Sequence, residues 1–319
     1  MDTAIETDSP HSIAAQFRAG KYDAVIQTCE EAIANGDVQP LYFWYLGMAL
    51  LLTDQPDLAQ ALWLDGLMLA AEMANLSDPE AAVPALLEVL HSEIQAARSQ
   101  NKTDVAWELA QCCLELDPEN RDTILDVLSL GIAAQSNSAE AIAPVVAHLI
   151  SLNPIPASTD ESPVEPWTAA QSDRLLSMCE SLLIQEPTHP TSVDFAAFCV
   201  HGLTIDGDVK NRFAEALYQA ARTCYEQSRL SPAIAYADWS IQLDNTAIER
   251  ISDIVAILRE SGAIARPRAL ELTEHWLAIA PDPVSQLQAI ETLLALLGDA
   301  AGHDPQVADI YQRYRSHLD

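Results

Sequence analysis

The side chains best suited to catalysis or metal binding are eight histidines, six cysteines and 47 acidic residues, and their spacing forms no catalytic motif. No histidine lies in an HExxH motif or pairs with a cysteine at zinc-site spacing. There is no GxSxG nucleophile motif and no glycine-rich phosphate loop. Glu271 and His275 stand four residues apart on one predicted helix, where such a pair meets at the surface. We therefore predict no catalytic residue, no cofactor, no metal and no enzyme activity.

The cysteines are predicted to be buried, reduced thiols. None is spaced as CxxC, and a chain of 319 residues can bury a stable core without disulfides. They are Cys29, Cys112, Cys113, Cys179, Cys199 and Cys224.

The charge is strongly unbalanced, with 16 Lys and Arg against 47 Asp and Glu and a formal net charge of -31. Nucleic acid is excluded as a partner because phosphate contacts need clustered basic side chains. Hydrophobic residues make up 49% of the chain, which is too many for a disordered protein. The acidic N-terminus does not resemble a signal peptide, and the longest apolar run, Leu41–Leu52, falls short of the ~20 residues that a bilayer requires. We predict a cytoplasmic protein with no membrane span.

An internal repeat sets the positions of the helices. Residues 43–47 read Phe-Trp-Tyr-Leu-Gly and are followed by Ala59 and Trp63, so that a helix containing a glycine precedes one containing a small residue. Small residues let two antiparallel helices approach closely, and aromatic rings fill the space beside them. Aligning other segments on Ala59 gives spacings of which four in six lie within two residues of 34. The aligned residues of the second helices are Val25, Ala59, Ala106, Ile142, Leu175, Ala233 and Ala269.

Prolines predict where the repeats begin and end. Pro118, Pro154, Pro187 and Pro281 each follow an aligned position by twelve residues, and a proline there ends a helix because its ring cannot continue the hydrogen-bond ladder. A capping residue followed by proline predicts a helix start. Such starts are Ser9-Pro10, Asp78-Pro79, Ser231-Pro232 and Asp304-Pro305.

On these residues the chain resembles the tetratricopeptide repeat (TPR) family, whose period is about 34 residues. The best matches are residues 20–33 and 46–63, and the repeats around Ala106 and Ala233 are also clear. The segment 191–212 is predicted to be helical without a recognisable repeat. The resemblance implies an all-α fold, an α-α superhelix of antiparallel helix hairpins.

A second resemblance concerns the N-terminal repeats. Residues 42–52 together with 59–64 look like the repeat arm of bacterial SPINDLY-type glycosyltransferases, which are similar to O-linked N-acetylglucosamine transferases and carry a catalytic region after their repeats. No nucleotide-sugar domain follows the repeats in this sequence, so the activity of that family is not carried over.

The middle of the chain predicts a division into two lobes. Residues 155–166 contain three prolines, two serines and three acidic residues, a composition typical of an extended linker or long loop. We therefore predict an N-terminal TPR-like lobe at 1–154, a linker at 155–166 and a C-terminal degenerate lobe at 167–319. Eleven of the 16 basic residues lie in residues 155–319, which makes this half the better place for an anionic partner.

In a stack of helix hairpins the first helix of each repeat lines the concave face. On the second repeat this face carries Leu41, Trp44, Met48 and Leu51. We expect the face to be buried, because an exposed apolar patch of this kind promotes association. The alternative is that the patch near Trp44 joins copies of the chain into a homo-oligomer.

The strongest candidate for binding a partner is a cluster on the helix before Ala233. Tyr218, Arg222 and Tyr225 share one face, and rigid aromatic rings beside a guanidinium are typical of interface hot spots. The alternative is that the tyrosines pack between helices and Arg222 pairs with Glu226. All the candidate partner-binding residues on first helices are Tyr218, Arg222, Tyr225, Arg259, Gln95 and Arg98.

The resemblance implies a non-enzymatic scaffold that binds a peptide, a helix or a partner domain in a concave groove. The family's carboxylate clamp for chaperone tails, built from lysine and asparagine, is absent because its positions carry Trp44, Met48, His91 and Gln95. Two alternatives remain open. One is an accessory repeat arm of a separately encoded glycosyltransferase or methyltransferase, and the other is a self-associating structural subunit.

Overall fold

The computed structural model describes residues 10–134, 138–153, 166–260 and 266–301, and all regular structure in these ranges is helical. The helices are α1 (Pro10–Arg18), α2 (Tyr22–Ala34), α3 (Pro40–Leu51), α4 (Pro56–Met73), α5 (Val83–Ser99), α6 (Thr103–Leu116), α7 (Arg121–Ala134), α8 (Ser138–Leu152), α9 (Ala169–Gln185), α10 (Pro190–Gly202), α11 (Gly207–Glu226), α12 (Leu230–Leu243), α13 (Ile248–Glu260), α14 (Arg266–Ile279) and α15 (Pro283–Ala301). A 3₁₀ helix, Pro79–Ala82, lies between α4 and α5. The predicted all-α fold is confirmed. None of the helices in these ranges is both long and apolar enough to cross a bilayer.

Helices joined by short turns pack against each other as hairpins, and hairpins stack on their neighbours. The hairpins include α1–α2, α3–α4, α5–α6, α11–α12 and α13–α14. Contacts such as those of α2 with α3 and of α9 with α11 stack one hairpin on the next. Short connections hold sequence neighbours antiparallel, so each helix buries one face on its partner and another on the adjacent hairpin.

The aligned small positions are confirmed in five hairpins. Each is the fourth residue of a second helix, and each side chain is fully buried at 0% exposure. A small side chain there brings two helix backbones together, as expected for ridges packing into grooves. These residues are Val25 in α2, Ala59 in α4, Ala106 in α6, Ala233 in α12 and Ala269 in α14.

Leu175 is wrongly aligned. It is buried, but it lies in α9, which is the first helix of a hairpin with α10. Its spacing of 33 residues from Ile142 is coincidental, because residues 154–165 intervene between α8 and α9 outside the described ranges. The repeat at this point is therefore α9–α10, and the predicted helical segment 191–212 contains most of α10 and the start of α11.

Four hairpin turns share one backbone conformation. One residue of each turn has a positive φ between 57° and 76°, and the N–H that follows it donates to the carbonyl five residues earlier. This bond is the outer bond of a Schellman turn, which satisfies a carbonyl at the end of the first helix. The positive-φ residues are Gly20, Asp54, Asn101 and Ser228. The same bond follows Gly36 and Asn75 at the ends of α2 and α4, so this turn ends first and second helices alike.

The proline signals are largely confirmed. Pro118, Pro187 and Pro281 each lie two residues beyond the end of a helix, at α6, α9 and α14, whereas Pro154 lies outside the described residues. Asp78 caps the 3₁₀ helix by accepting from the Glu80 N–H at 3.0 Å. The prediction that Ser231 caps a helix is wrong, because α12 begins at Leu230 and the Schellman turn at Ser228 sets its start. Ser9, Asp304 and Pro305 also lie outside the described residues.

The hairpin α3–α4 is held by two tryptophans, each against a glycine of the opposite helix. A Cβ on Gly47 would lie 2.3 Å from Trp63 Nε1, and a Cβ on Gly66 would lie 2.7 Å from Trp44 Nε1. Trp63 Nε1 donates to the carbonyl of Trp44 at 3.1 Å. Neither position tolerates a side chain, because the indole ring already occupies the space.

The apolar face of the second repeat is mostly buried, as expected. Trp44 and Met48 are 6% and 0% exposed, and Leu41 and Leu51 are half-buried. Trp44 and Met48 are therefore covered within the chain itself, and self-association through the patch near Trp44 stays a prediction. The packing of α3 against α4 and α2 is the physical reason for this burial.

The helix contacts divide the chain into two units, Met1–Ser136 and Asn137–Asp319. Helix α8, which the sequence assigns to the lobe 1–154, belongs to the second unit because it packs against α10. The Ser138 hydroxyl lies 3.0 Å from both Gln185 Oε1 and Glu186 Oε1. The predicted linker at 155–166 lies outside the described residues except for Pro166.

All six cysteines are buried free thiols. Burial raises the pKa of Cys29 and of Cys113 to about 12, and that of Cys224 to about 11. Thiols with such pKa values are poor nucleophiles at neutral pH, because the thiolate is the reactive form. Their role is therefore packing.

Candidate functional site

The candidate cluster of the second unit lies where α11 packs against α13. Tyr218 is 7% exposed, and its hydroxyl donates to the carboxylate of Asp253 on α13. The Arg222 guanidinium lies over the Tyr218 ring, 5.9 Å from its centroid. Tyr218 therefore joins two first helices and also supports Arg222. We call the surface formed by Tyr218, Arg222 and Asp253 the α11–α13 face, and Arg259 lies six residues after Asp253 on α13.

Burial and the hydrogen bond to Asp253 raise the pKa of Tyr218 from 10.0 to about 12. Because the folded pKa lies above the unfolded one, this tyrosine's contribution to stability is complete below pH 10 and is lost as the pH rises towards 12. We expect Tyr218→Phe to cost about 1 kcal/mol at neutral pH, through the lost hydrogen bond. Urea unfolding across the alkaline range would then show a smaller loss of stability in Tyr218→Phe than in the wild type. Identical pH profiles would contradict the assignment.

The other candidates of this cluster differ in exposure. Arg222 and Arg259 are exposed, and Tyr225 is half-buried. Within the described residues, neither Arg222 nor Arg259 forms an ion pair, in a chain that has 47 acidic residues. The alternative pairing of Arg222 with Glu226 is not formed. A guanidinium that lacks a carboxylate retains donors for one from a partner.

The candidates of the first unit lie on α5 and are less suited to binding. Gln95 is exposed. Arg98 is half-buried, and its Nη2 lies 3.3 Å from Asp126 Oδ1 on α7, so its charge is already paired. The two residues therefore do not form a free cationic surface.

A buried carboxylate that the sequence did not single out lies next to Gln95. Glu93 is 1% exposed and accepts from Arg18 Nε at 2.9 Å, from Arg18 Nη2 at 2.8 Å and from the Tyr45 hydroxyl at 2.7 Å. The Lys102 ammonium donates to the carbonyl of Arg18. These contacts fasten the end of α1 to α3, to α5 and to the turn that precedes α6.

The second unit also contains a cavity of about 560 Å³ between α12 and α14. It is lined by Asp238, Trp239, Ile241, Gln242, Asn245, Arg268, Glu271, Leu272 and His275. Glu271 and His275, which the sequence placed on one helix surface, both line it, but they bind other groups. Glu271 pairs with Arg268 at 2.6 Å, and His275 Nε2 lies 2.8 Å from the Asn245 carbonyl.

In the described part of the chain, no group of three His, Cys, Asp or Glu side chains is placed to hold a metal ion. On the α11–α13 face, the exposed guanidinium of Arg222 is a planar group whose donors match the geometry of a carboxylate.

The sequence analysis did not identify Asp253 and Glu93, although the position of each in the sequence pointed to a role. Asp253 lies on the same predicted first helix as the candidate Arg259. Glu93 continues the helical stripe of Leu86 and Leu90 into Ala97, where an apolar residue is expected. A charged residue at a buried position of that kind indicates a buried ion pair.

Comparison with known proteins gives distant structural likeness. No family model matches the chain, and no curated protein matches it. Among solved structures, the chain is similar to yeast Tom70 at 14% identity, covering 98% of this chain and 68% of that one, with a TM-score of 0.26. It is also similar to Naa15/Naa10 bound to HypK-THB at 14% identity, covering 90% of this chain and 50% of that one, with a TM-score of 0.25. Superpositions this loose carry no argument about function.

The class of protein follows from the chain's own geometry. Helix hairpins repeat along both units, with a buried small residue at the fourth position of the second helix and a recurrent Schellman turn. These features define a TPR-like helical repeat protein. The expected TPR-like fold is thereby confirmed.

Proposed function

We propose that the chain is a protein-interaction scaffold whose α11–α13 face binds a carboxylate-bearing segment of a partner protein. The observation that carries the proposal is Arg222, an exposed arginine that lies over the Tyr218 ring and forms no ion pair within the described residues, although acidic residues outnumber basic ones nearly threefold. Arg259, on the next first helix, is likewise exposed and forms no ion pair there. Arg229, at the α11–α12 turn, is also exposed and forms no ion pair in the described residues, so the position of Arg222 over the Tyr218 ring is what distinguishes it.

The packing beneath this face supports the proposal. Tyr218 is fixed by its bond to Asp253, so the ring that supports Arg222 is held before any partner arrives. A preorganised surface loses less conformational entropy on binding. Arg222 forms no ion pair with a carboxylate in the described residues, so it retains donors for one in the bidentate geometry that arginine favours.

The experiment compares the wild type with Arg222→Gln/Arg259→Gln as bait, and identifies the captured proteins by mass spectrometry. Arg229→Gln is the matched control. Arg229 is an exposed arginine at the α11–α12 turn, and its replacement also removes positive charge. We expect a specific partner to lose about tenfold in affinity for the double variant and to keep its affinity for the control. Tyr218 is left unchanged because its substitution would disturb the packing of α11 on α13.

A partner that binds the double variant as tightly as the wild type would contradict the proposal. So would a partner whose binding lacks any dependence on its own carboxylates, tested by exchanging its Asp and Glu for Asn and Gln. Capture of a glycosyltransferase or methyltransferase by both baits would instead favour the accessory-arm alternative, which stays a prediction.

A further inference from the structure

The cavity between α12 and α14 is lined as a binding pocket is, and its lining residues belong to other helices than the α11–α13 face. Its inner surface includes Ile241 and Leu272, which are 5% and 2% exposed. Its volume of about 560 Å³ falls within the range of small-ligand sites, which combine apolar walls with a few placed polar groups.

The charges in the cavity favour a cation. Arg268 Nε donates to Asp238 Oδ1 at 2.7 Å, and Arg268 Nη1 lies 2.6 Å from Glu271 Oε2. One guanidinium thus serves two carboxylates, which leaves a net negative charge among these three side chains. The Glu271 side chain is 68% exposed, and a carboxylate has acceptor sites for several donors. An anion would have to displace these carboxylates from Arg268.

The tryptophan that lines the cavity favours a planar cation over other cations. Trp239 is held by edge-to-face contacts with Tyr236 at 5.9 Å and His201 at 6.1 Å between ring centroids. Tryptophan is the strongest cation–π partner among the side chains, and a planar guanidinium stacks on it while its edge donates to a carboxylate. His275 is held by the Asn245 carbonyl at the same cavity, so its ring is also oriented.

We propose that this cavity binds the guanidinium of an arginine side chain presented by a partner protein, with Trp239 as the aromatic wall and Glu271 as the principal acceptor. The site is separate from the α11–α13 face and does not depend on its function. Together, the α11–α13 face and this cavity would let the scaffold bind a carboxylate and a guanidinium of its partners.

The test uses the full-length chain with its tryptophan indoles labelled with ¹⁵N, titrated with the peptide acetyl-Gly-Arg-Gly-amide. In one control peptide the arginine is replaced by citrulline, which has the shape of arginine without the charge. In the other it is replaced by glutamate. Trp239→Phe identifies the Trp239 indole signal. Glu271→Gln is compared with Glu274→Gln, an exposed glutamate of the same helix that does not line the cavity.

We expect the arginine peptide to shift the Trp239 signal in a saturable manner, and Glu271→Gln to weaken its binding by about tenfold. Glu274→Gln should change the affinity by less than about twofold. The proposal is overturned if the arginine peptide leaves the Trp239 signal unmoved, if the citrulline or glutamate peptide binds as well, or if both glutamine variants weaken binding equally. Because Arg222 and Arg259 are untouched here, the outcome is independent of the scaffold experiment.

Discussion

Glu93→Ala is expected to lower the free energy of unfolding of the first unit by about 3 kcal/mol. The carboxylate of Glu93 is 1% exposed and accepts two hydrogen bonds from Arg18 and one from Tyr45. Truncation leaves the Tyr45 hydroxyl, on a side chain that is 5% exposed, without its acceptor. Arg18 is 41% exposed and recovers part of its hydration, which keeps the cost at the lower end of the range for broken buried pairs.

Urea unfolding followed by circular dichroism measures this effect, and Glu88→Ala provides the matched control. Glu88 is an exposed glutamate earlier in α5, and its truncation should cost less than about 0.5 kcal/mol. Hydrogen exchange adds a local readout. Amides of α1 should exchange faster in Glu93→Ala, because Glu93 fastens the last residue of that helix. Equal stability of the two variants would mean that the buried cluster contributes nothing beyond a surface charge.

Gly47→Ala should lower the free energy of unfolding by about 2 kcal/mol, the second largest effect that we expect. In an ordinary helix interior the same change would stabilise by up to about 1 kcal/mol, because alanine is the better helix former. Here the new Cβ would lie 2.3 Å from Trp63 Nε1 and 2.6 Å from its Cδ1. Trp63 is 6% exposed, so its ring has no free space to enter, and the overpacking outweighs the gain in propensity.

A double-mutant cycle with Trp63→Ala isolates this contact. Alanine lacks the ring whose atoms the new Cβ meets, and Trp63→Ala alone is destabilising because it also loses the 3.1 Å bond to the Trp44 carbonyl. We expect the double variant to be about 1 kcal/mol more stable than the sum of the two single costs predicts. Simple additivity, or a stabilising Gly47→Ala, would show that the helices α3 and α4 are less closely packed than the structure has them.

The sequence alone determined the repeat. Small residues at Val25, Ala59 and Ala106 recur at near-constant spacing because each must let two helix backbones approach, and this requirement is local to one hairpin. Prolines after α6, α9 and α14 predicted helix ends for the same reason, since a proline acts on its own backbone. Leu175 is the exception. Residues 154–165 separate it from the repeat before it, so its spacing from Ile142 does not show which helix of a hairpin it lies on.

The pairing of side chains between hairpins was decided only by the tertiary structure. Tyr218 is visible in the sequence as a candidate, but whether it is free or bonded depends on Asp253, 35 residues further along the chain. Glu93 and Arg18 are 75 residues apart. Periodicity fixes which residues share a helix face, but not which residue of another helix lies opposite. That choice depends on how successive hairpins stack, and the cavity at Trp239 and Arg268 exists only because of that stacking.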